Sequence, residues 1–240
     1  MPLWAGVDGC RDGWVLAVMD PTRSILDLAL LRTFGEVVIH ARGADLILVD
    51  IPMGLPSADC PVLRRCDTMA RELLGTRAST VFPVPAREAV WAESYPEACR
   101  LNRRILGRDL SRQSWGICPK IREVDAVLRL APRLQDSIRE THPELCFRLL
   151  NRGRPLANPK KGQAGQRVRR ELLRGFAVNL DAATRQARRL YRSASLSPDD
   201  LLDAVAAAVV ARLAAEGKAA SVPLAPERDA CGLAMEVVGV

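Results

Sequence analysis

The fold of this 240-residue chain depends first on the stretch Ala5-Gly6-Val7-Asp8-Gly9-Cys10-Arg11-Asp12-Gly13-Trp14-Val15-Leu16-Ala17. Two apolar runs, Leu3–Val7 and Trp14–Met19, flank a polar turn that contains two glycines, and this pattern predicts an antiparallel hairpin. Asp8 closes the first run, so a rigid strand would carry its carboxylate, which favours precise chemistry. Aspartate also favours turns because it bonds its own backbone. Asp8 alone therefore leaves both roles open.

A second predicted strand also ends in an aspartate. Ile25–Leu31 is predicted to be the third strand, and Thr33 is predicted to cap a short helix after it. The run Leu46–Val49 then leads into Asp50, and a continuous apolar run is typical of a strand buried on both faces. If the first and fourth strands are adjacent and parallel, Asp8 and Asp50 meet at one edge of the sheet.

Residues 1–240 are predicted to form one α/β domain in which residues 52–136 are an insertion. Helices within the insertion are predicted at roughly Pro61–Leu74, Tyr95–Leu106 and Pro119–Leu130. A fifth strand is expected at Ser137–Thr141.

The last third of the chain adds acidic residues at the starts of helices. Glu144 follows the fifth strand in the first turn of a helix, where it also complements the helix dipole. Ser197 is predicted to cap the last long helix, in which Asp200 and Asp203 project from one face. Asp203 lies beside core positions, and a buried carboxylate needs a partner such as a metal.

These carboxylates predict metal chemistry if they meet. Asp8, Asp50, Asp200 and Asp203 would repel one another without a cation. Oxygen-only ligands suit Mg²⁺ or Mn²⁺, and two such ions about 4 Å apart activate water for phosphodiester hydrolysis. We therefore predict a metal-dependent nuclease in which these four aspartates bind metal and Glu144 joins them as an outer catalytic residue. The strand order and the acidic positions are those that the RNase H fold requires.

Charge is concentrated in one segment of the chain. Residues 148–192 contain thirteen Lys and Arg but only Glu171 and Asp181 as acids, an excess of eleven that is larger than the +7 of the whole chain. Such a block suits nucleic acid, although a solvated helical face explains it equally well. Side chains proposed to hold a substrate phosphate are Arg11, Arg71, Arg87, Gln113, Lys120, Lys160 and Lys161.

Composition excludes several other classes of protein. No run of about 18 apolar residues is present, which argues against a membrane span. The first residues lack a secretory signal, so we expect a cytoplasmic protein. Seven scattered cysteines and two histidines do not form a structural zinc motif, and we expect reduced thiols.

Several spaced motifs give a more specific indication. In chain order they are Gly6-Val7-Asp8-Gly9-Cys10-Arg11 with Gly13-Trp14, Asp50-Ile51-Pro52-x-Gly54-Leu55-Pro56, Val81-Phe82-Pro83-x-Pro85-x-Arg87, Pro119-Lys120-Ile121-x-Glu123-x-Asp125, His142-Pro143-Glu144 and Asp199-Asp200-x-x-Asp203-Ala204. Together they resemble the family catalogued as domain of unknown function 429 over nearly the whole chain. The resemblance implies an RNase H-like fold, a five-stranded mixed sheet flanked by helices, and a predicted nuclease activity. The family commonly has glycine where this chain has Asp12, and the helix aspartates resemble those of Holliday-junction resolvases of this fold.

Two alternatives remain open. Actin-like ATPases share this sheet and use an aspartate before a glycine hairpin to bind phosphate, so a protein that binds or hydrolyses nucleotides or phosphate esters is the second interpretation. The third is a non-catalytic nucleic-acid-binding module, which predicts carboxylates that do not converge or that converge on an arginine. DNA versus RNA and a homodimer are also left open.

Overall fold

A mixed five-stranded sheet forms the centre of the computed structural model, which describes residues 1–160, 162–191 and 196–240. The strand order is β3-β2-β1-β4-β5. The strands are β1 (Trp4–Cys10), β2 (Gly13–Met19), β3 (Ile25–Leu31), β4 (Leu46–Val49) and β5 (Ile138–Glu140). The first three are antiparallel neighbours, whereas β4 runs parallel to both β1 and β5. The predicted hairpin and the parallel pairing of the first and fourth strands are confirmed.

Helices cover both faces of the sheet. Between β3 and β4 lies α1 (Phe34–His40), and between β4 and β5 lie α2 (Arg65–Leu74), α3 (Arg87–Val90), α4 (Tyr95–Leu106) and α5 (Arg112–Leu130), with 3₁₀ turns at Gly75–Thr80 and Pro132–Leu134. After β5 come α6 (Pro143–Leu150), α7 (Gln163–Arg174), α8 (Leu180–Leu190) and α9 (Pro198–Ala215). Side chains of β1 alternate between two cores, with Trp4 in one and Ala5 and Val7 in the other. The first core holds α6 to α9, and the second holds α1, α3, α4 and α5, whereas α2 packs in a third cluster with the C-terminal segment.

The helix α9 approaches β1 unusually closely, and Gly6 is the residue that permits this. A Cβ on Gly6 would lie 2.1 Å from the carbonyl oxygen of Ala204 and 2.1 Å from the amide nitrogen of Ala208. Alanines along α9 are buried on the other side of the contact. The absence of a side chain at Gly6 therefore fixes α9 against the sheet next to Asp8.

The C-terminal segment forms a separate two-stranded sheet. Strand β6 (Ser221–Arg228) pairs antiparallel with β7 (Ala234–Val238), and Val238 makes one parallel bridge to Thr141 beside β5. The largely apolar segment Met235–Val238 predicts a final strand, which the structure shows as β7. No strand is predicted at β6, because prolines at positions 223 and 226 interrupt its apolar pattern.

Two helix starts were predicted wrongly. The structure begins α5 at Arg112, not near Pro119, because Ser111 caps the helix by accepting from the amide of Ser114. Pro119 therefore lies inside α5. The helix α2 begins at Arg65, later than the expected Pro61. The sequence also predicts a helix at roughly Asp181–Ser193; the structure begins it at Leu180, and the expected end at Ser193 lies outside the described residues.

All seven cysteines are free, and Cys10, Cys66, Cys118 and Cys146 are buried. Within the described parts of the chain, every helix is too short or too polar to cross a bilayer.

Candidate functional site

Asp8 and Asp50 lie side by side at the carboxyl ends of two parallel strands. The register pairs Val7 with Val49, and the amide of Asp50 donates to the carbonyl of Val7 at 2.9 Å. Asp8 lies two residues after Gly6 on the strand and therefore on the face that α9 covers. Asp8 is 6% exposed, and Asp50 is half-buried. Burial, followed by the charges of Asp50 and Asp203, raises the pKa of Asp8 well above its ordinary value.

The third carboxylate of the site comes from α9. Asp203 is 1% exposed, and its Oδ2 accepts a hydrogen bond from Lys160 Nζ at 3.0 Å. Burial raises the pKa of Asp203 to about 7 even though the ammonium of Lys160 opposes the shift. Its second oxygen, Oδ1, is buried without a hydrogen-bond partner among the described residues. Asp8, Asp50 and Asp203 thus form one electrostatic cluster around Lys160.

Asp200 lies at the margin of this cluster. Its carboxylate completes a capping box, because Oδ2 accepts from the amide of Ser197 at 2.9 Å while the Ser197 hydroxyl accepts from the amide of Asp200. Burial also raises the pKa of Asp200. One carboxylate oxygen of Asp200 is thus already hydrogen-bonded in the N-terminal cap of α9.

Glu144 binds arginines instead of joining the aspartates. Its Oε1 accepts from Arg77 at 3.0 Å and from Arg169 at 2.5 Å. The guanidinium of Arg169 also opposes the rise in the pKa of Asp203, so this ion pair lies beside the cluster. Glu144 is therefore a supporting residue in this structure.

Arg169 is the residue that sequence reasoning missed. It is fully buried and packs against the ring of Phe147, with 5.1 Å between the guanidinium carbon and the ring centroid. Its Nη1 donates to the carbonyl of Asn158 at 3.2 Å, two residues before Lys160. The spacing of Gly165, Arg169 and Leu173 gave a signal, since positions four apart share one face of a helix and all three are buried in α7.

The segment that carries Lys160 is held tightly against α7. A Cβ on Gly165 would lie 1.9 Å from the carbonyl oxygen of Pro159, so only glycine permits this contact. Together with the bond from Arg169 to Asn158, it fixes the backbone immediately before Lys160.

Two of the proposed phosphate-binding arginines are bound within the protein. Arg87 is buried and donates from Nη2 to Asp125 at 2.8 Å and to Asp229 at 2.6 Å. Arg71 donates from Nε and Nη2 to the carbonyl of Val81. These guanidinium groups hold the helices before β5 together, and we no longer assign them to a substrate.

The other proposed substrate residues have different surroundings. Lys120 lies near the aspartates, with its ammonium 4.5 Å from the centroid of the Trp14 ring and 3.8 Å from Glu123. Burial lowers the pKa of Lys120. Arg11 and Gln113 are exposed, and Lys161 lies outside the described residues.

Several basic side chains of residues 148–192 are paired within the protein, so this segment offers less free positive charge to nucleic acid than its composition suggests. Arg170 and Arg174 both pair with Asp181, and Arg167 pairs with Glu171. On α8, however, Arg185, Arg188 and Arg189 are exposed on the outer surface. Exposed positive charge therefore lies along α8, which packs on the edge strand β3, and at Arg152 and Arg154 after α6.

The oxygen atoms of the aspartates suit a divalent cation, but the side chains are not arranged as a preformed metal site. They offer only oxygen donors, and Asp203 has a buried oxygen without a partner among the described residues, as a hard cation requires. Yet among residues 1–160, 162–191 and 196–240, no three His, Cys, Asp or Glu side chains are arranged to hold a metal ion. The ammonium of Lys160 supplies the positive charge in this arrangement.

A pocket of about 150 Å³ adjoins Asp8 and Asp50. Its remaining walls come from the start of the segment after β4, from α2, from the segment before α3, from α5 and from the end of β5. The predicted site and the pocket thus form one continuous region at the carboxyl edge of the sheet.

Comparison with known proteins assigns the chain to a family. The sequence profile of the family described as "Protein of unknown function (DUF429)" matches residues 6–228. The chain belongs to the DUF429 family. The match covers the hairpin, both strand-end aspartates and α9 of this DUF429 protein. No curated protein and no solved structure matches the chain.

Proposed function

We propose that this DUF429 protein is a metal-dependent nuclease with an RNase H-like fold that hydrolyses phosphodiester bonds of nucleic acid. The observation that carries the proposal is the convergence of Asp8, Asp50 and Asp203 from two adjacent strand ends and the helix that crosses them. The strand order, with an antiparallel hairpin followed by parallel strands, supports the fold assignment. Residues 52–136 are the proposed insertion, and they contribute walls of the pocket.

The protein contributes ligands on rigid elements. Asp8 and Asp50 are the strand-end ligands and Asp203 is the ligand from α9, with Asp200 at the outer margin because it also caps the helix. Mg²⁺ or Mn²⁺ bound there would activate water and neutralise charge on the leaving oxygen. We assign Lys160 to the substrate phosphate, since its ammonium already lies within the cluster. The exposed arginines of α8 would hold the nucleic-acid backbone.

A hydrolase that acts on a free nucleotide or a similar phosphate ester is the second candidate. The pocket favours it, because a cavity of about 150 Å³ beside the aspartates suits a small group better than a duplex. The chemistry at the carboxylates would be the same in both cases.

Cleavage assays test the proposal. We expect Mn²⁺-dependent cleavage of end-labelled single-stranded DNA, RNA or branched DNA, and loss of that cleavage in Asp8→Asn and Asp50→Asn. Asp27→Asn is the matched control because Asp27 is exposed on β3. Release of nitrophenol from thymidine 5′-p-nitrophenyl phosphate, without polymer cleavage, would favour the second candidate. Cleavage that survives Asp8→Asn would contradict the proposed site. Binding without any hydrolysis would contradict both candidates and favour a binding module.

A further inference from the structure

The pocket beside the aspartates has the size of a single planar ring system. An engineered apolar cavity of about 150 Å³ binds benzene, whereas drug-sized ligands occupy about 300–1,000 Å³. With its volume of about 150 Å³, the pocket admits one planar ring system, single or fused, but not a whole nucleotide. Its apolar walls are Ile51, Pro52, Val81, Phe82, Val84 and Ile117.

The charges around the pocket exclude a phosphate from its interior. Asp8, Asp50, Asp67 and Glu140 are among the lining residues, and Lys120 is the lining ammonium. The buried guanidinium of Arg64 offsets the charges of Asp67 and Glu140, so the repulsion of an anion inside the pocket comes from Asp8 and Asp50. A neutral ring is not repelled, so the phosphate stays at the mouth, near Lys160, when the ring enters.

Three groups in the wall suit an aromatic heterocycle. Phe82 is half-buried and presents an aromatic ring to the cavity wall. His142 donates from Nε2 to the carbonyl of Thr80 at 3.3 Å, which leaves Nδ1 as an acceptor, and this atom is buried without a partner among the described residues. Lys120 adds a donor. Stacking, one acceptor and one donor are what a nucleobase requires.

We infer that the pocket receives the base of an unpaired nucleotide whose phosphate lies at the mouth of the pocket, beside Lys160. This inference rests on the proposed function and names the substrate class of the same site. A base within a stacked duplex cannot enter such a pocket, so the target nucleotide must be single-stranded, terminal or turned out of the helix. Phe82 and His142 are then specificity residues that contact the base.

Binding of short strands tests the inference without requiring catalysis. We would measure fluorescence anisotropy of a labelled single strand, and compare a strand carrying 2-aminopurine with one whose central nucleotides are abasic, in EDTA and in Ca²⁺. We expect the abasic strand to bind about 5- to 150-fold more weakly, which is the range that stacking of one base on an aromatic side chain is worth. The fluorescence of 2-aminopurine should also fall when the base stacks on Phe82.

A matched pair of variants identifies the wall that binds the base. Phe82→Ala should remove both the preference for a base and the change in 2-aminopurine fluorescence. Phe176→Ala truncates another half-buried phenylalanine, one that packs in the α6–α9 core, and should keep both effects. Ile117→Phe, which narrows the pocket without removing a polar group, should act like Phe82→Ala.

The outcomes separate this inference from the proposed function. Equal binding of the base-containing and abasic strands, or a base preference that survives Phe82→Ala, would overturn the pocket assignment even if the protein cleaves DNA. Base-dependent binding without metal-dependent hydrolysis would keep the pocket and refute the nuclease. If thymidine 5′-monophosphate competes at the concentration of the strand, the base comes from a free nucleotide. If it does not compete at that concentration, the base comes from a polymer.

Discussion

Replacing Gly6 with alanine should separate α9 from the sheet. The new Cβ would lie 2.1 Å from Ala204 O, 2.1 Å from Ala208 N and 2.7 Å from Ala207 C, all of them backbone atoms of α9. No change of rotamer can relieve these contacts, so the helix itself must move outward by about 1 Å to reach normal packing distances. Overpacking of a core lowers the free energy of unfolding by about 1–3 kcal/mol. Because the clashing atoms belong to the backbone on both sides, we expect Gly6→Ala to lie at or above the upper end of this range.

Thermal unfolding measures the effect. A loss of about 3 kcal/mol should lower Tm by about 6–12 °C, since about 2–4 °C corresponds to 1 kcal/mol in a chain of this size. Gly6→Ala should also weaken Mn²⁺ binding although every carboxylate is intact, because α9 carries Asp203. Gly116→Ala is the control, as Gly116 lies inside α5 with open space where a Cβ would be added, and it should gain about 0.5–1 kcal/mol. A Gly6→Ala variant with unchanged Tm and unchanged Mn²⁺ affinity would show that the close approach of α9 does not depend on this glycine.

Three further substitutions test the electrostatics of the site. Asp8→Asn should raise the Tm of metal-free protein at pH 8 but not near pH 4. Because the pKa of Asp8 is raised in the folded protein, the free energy of unfolding falls as the pH rises above the pKa that Asp8 has in the unfolded chain, by about 1.4 kcal/mol per unit of pKa difference. An equal difference in Tm at both pH values would contradict this. Arg169→Met should lower the free energy of unfolding, measured in urea, by about 3 kcal/mol. This is near the lower limit for breaking a buried ion pair, because Glu144 keeps its contact with Arg77. No loss of stability would show that the pair is not structural. Lys160→Met should tighten Mn²⁺ binding in calorimetry, since its ammonium no longer pairs with Asp203, and an unchanged affinity would argue against that pairing.

The local sequence predicted the elements around the site well because each has its own start and stop signal. Glycines mark the hairpin, Thr33 caps α1, and Ser197 with Asp200 forms the capping box of α9. The continuous apolar run of β4 correctly indicated burial on both faces. Pro119 misled the prediction of α5, because proline at a helix start and proline inside a helix look alike in sequence.

The partners of charged side chains could not be predicted, since they depend on packing between distant segments. Glu144 meets Arg77 and Arg169, which lie 67 and 25 residues away. Arg87 meets Asp229 across 142 residues. Periodicity indicates which face of a helix is buried, but it does not identify the charge on the opposite wall. The pocket could not be predicted either, because its walls come from six separate segments of the chain.

Calorimetric titration of Mn²⁺ into the purified protein is the most direct test of a shared metal site. We expect saturable binding in wild type, loss of binding in Asp8→Asn and in Asp203→Asn, and unchanged binding in the Asp27→Asn control. Loss in both variants would mean that a strand end and the helix that crosses it share one cation site. Binding that survives both substitutions would contradict the proposed metal site, because the metal would then lie elsewhere on the protein.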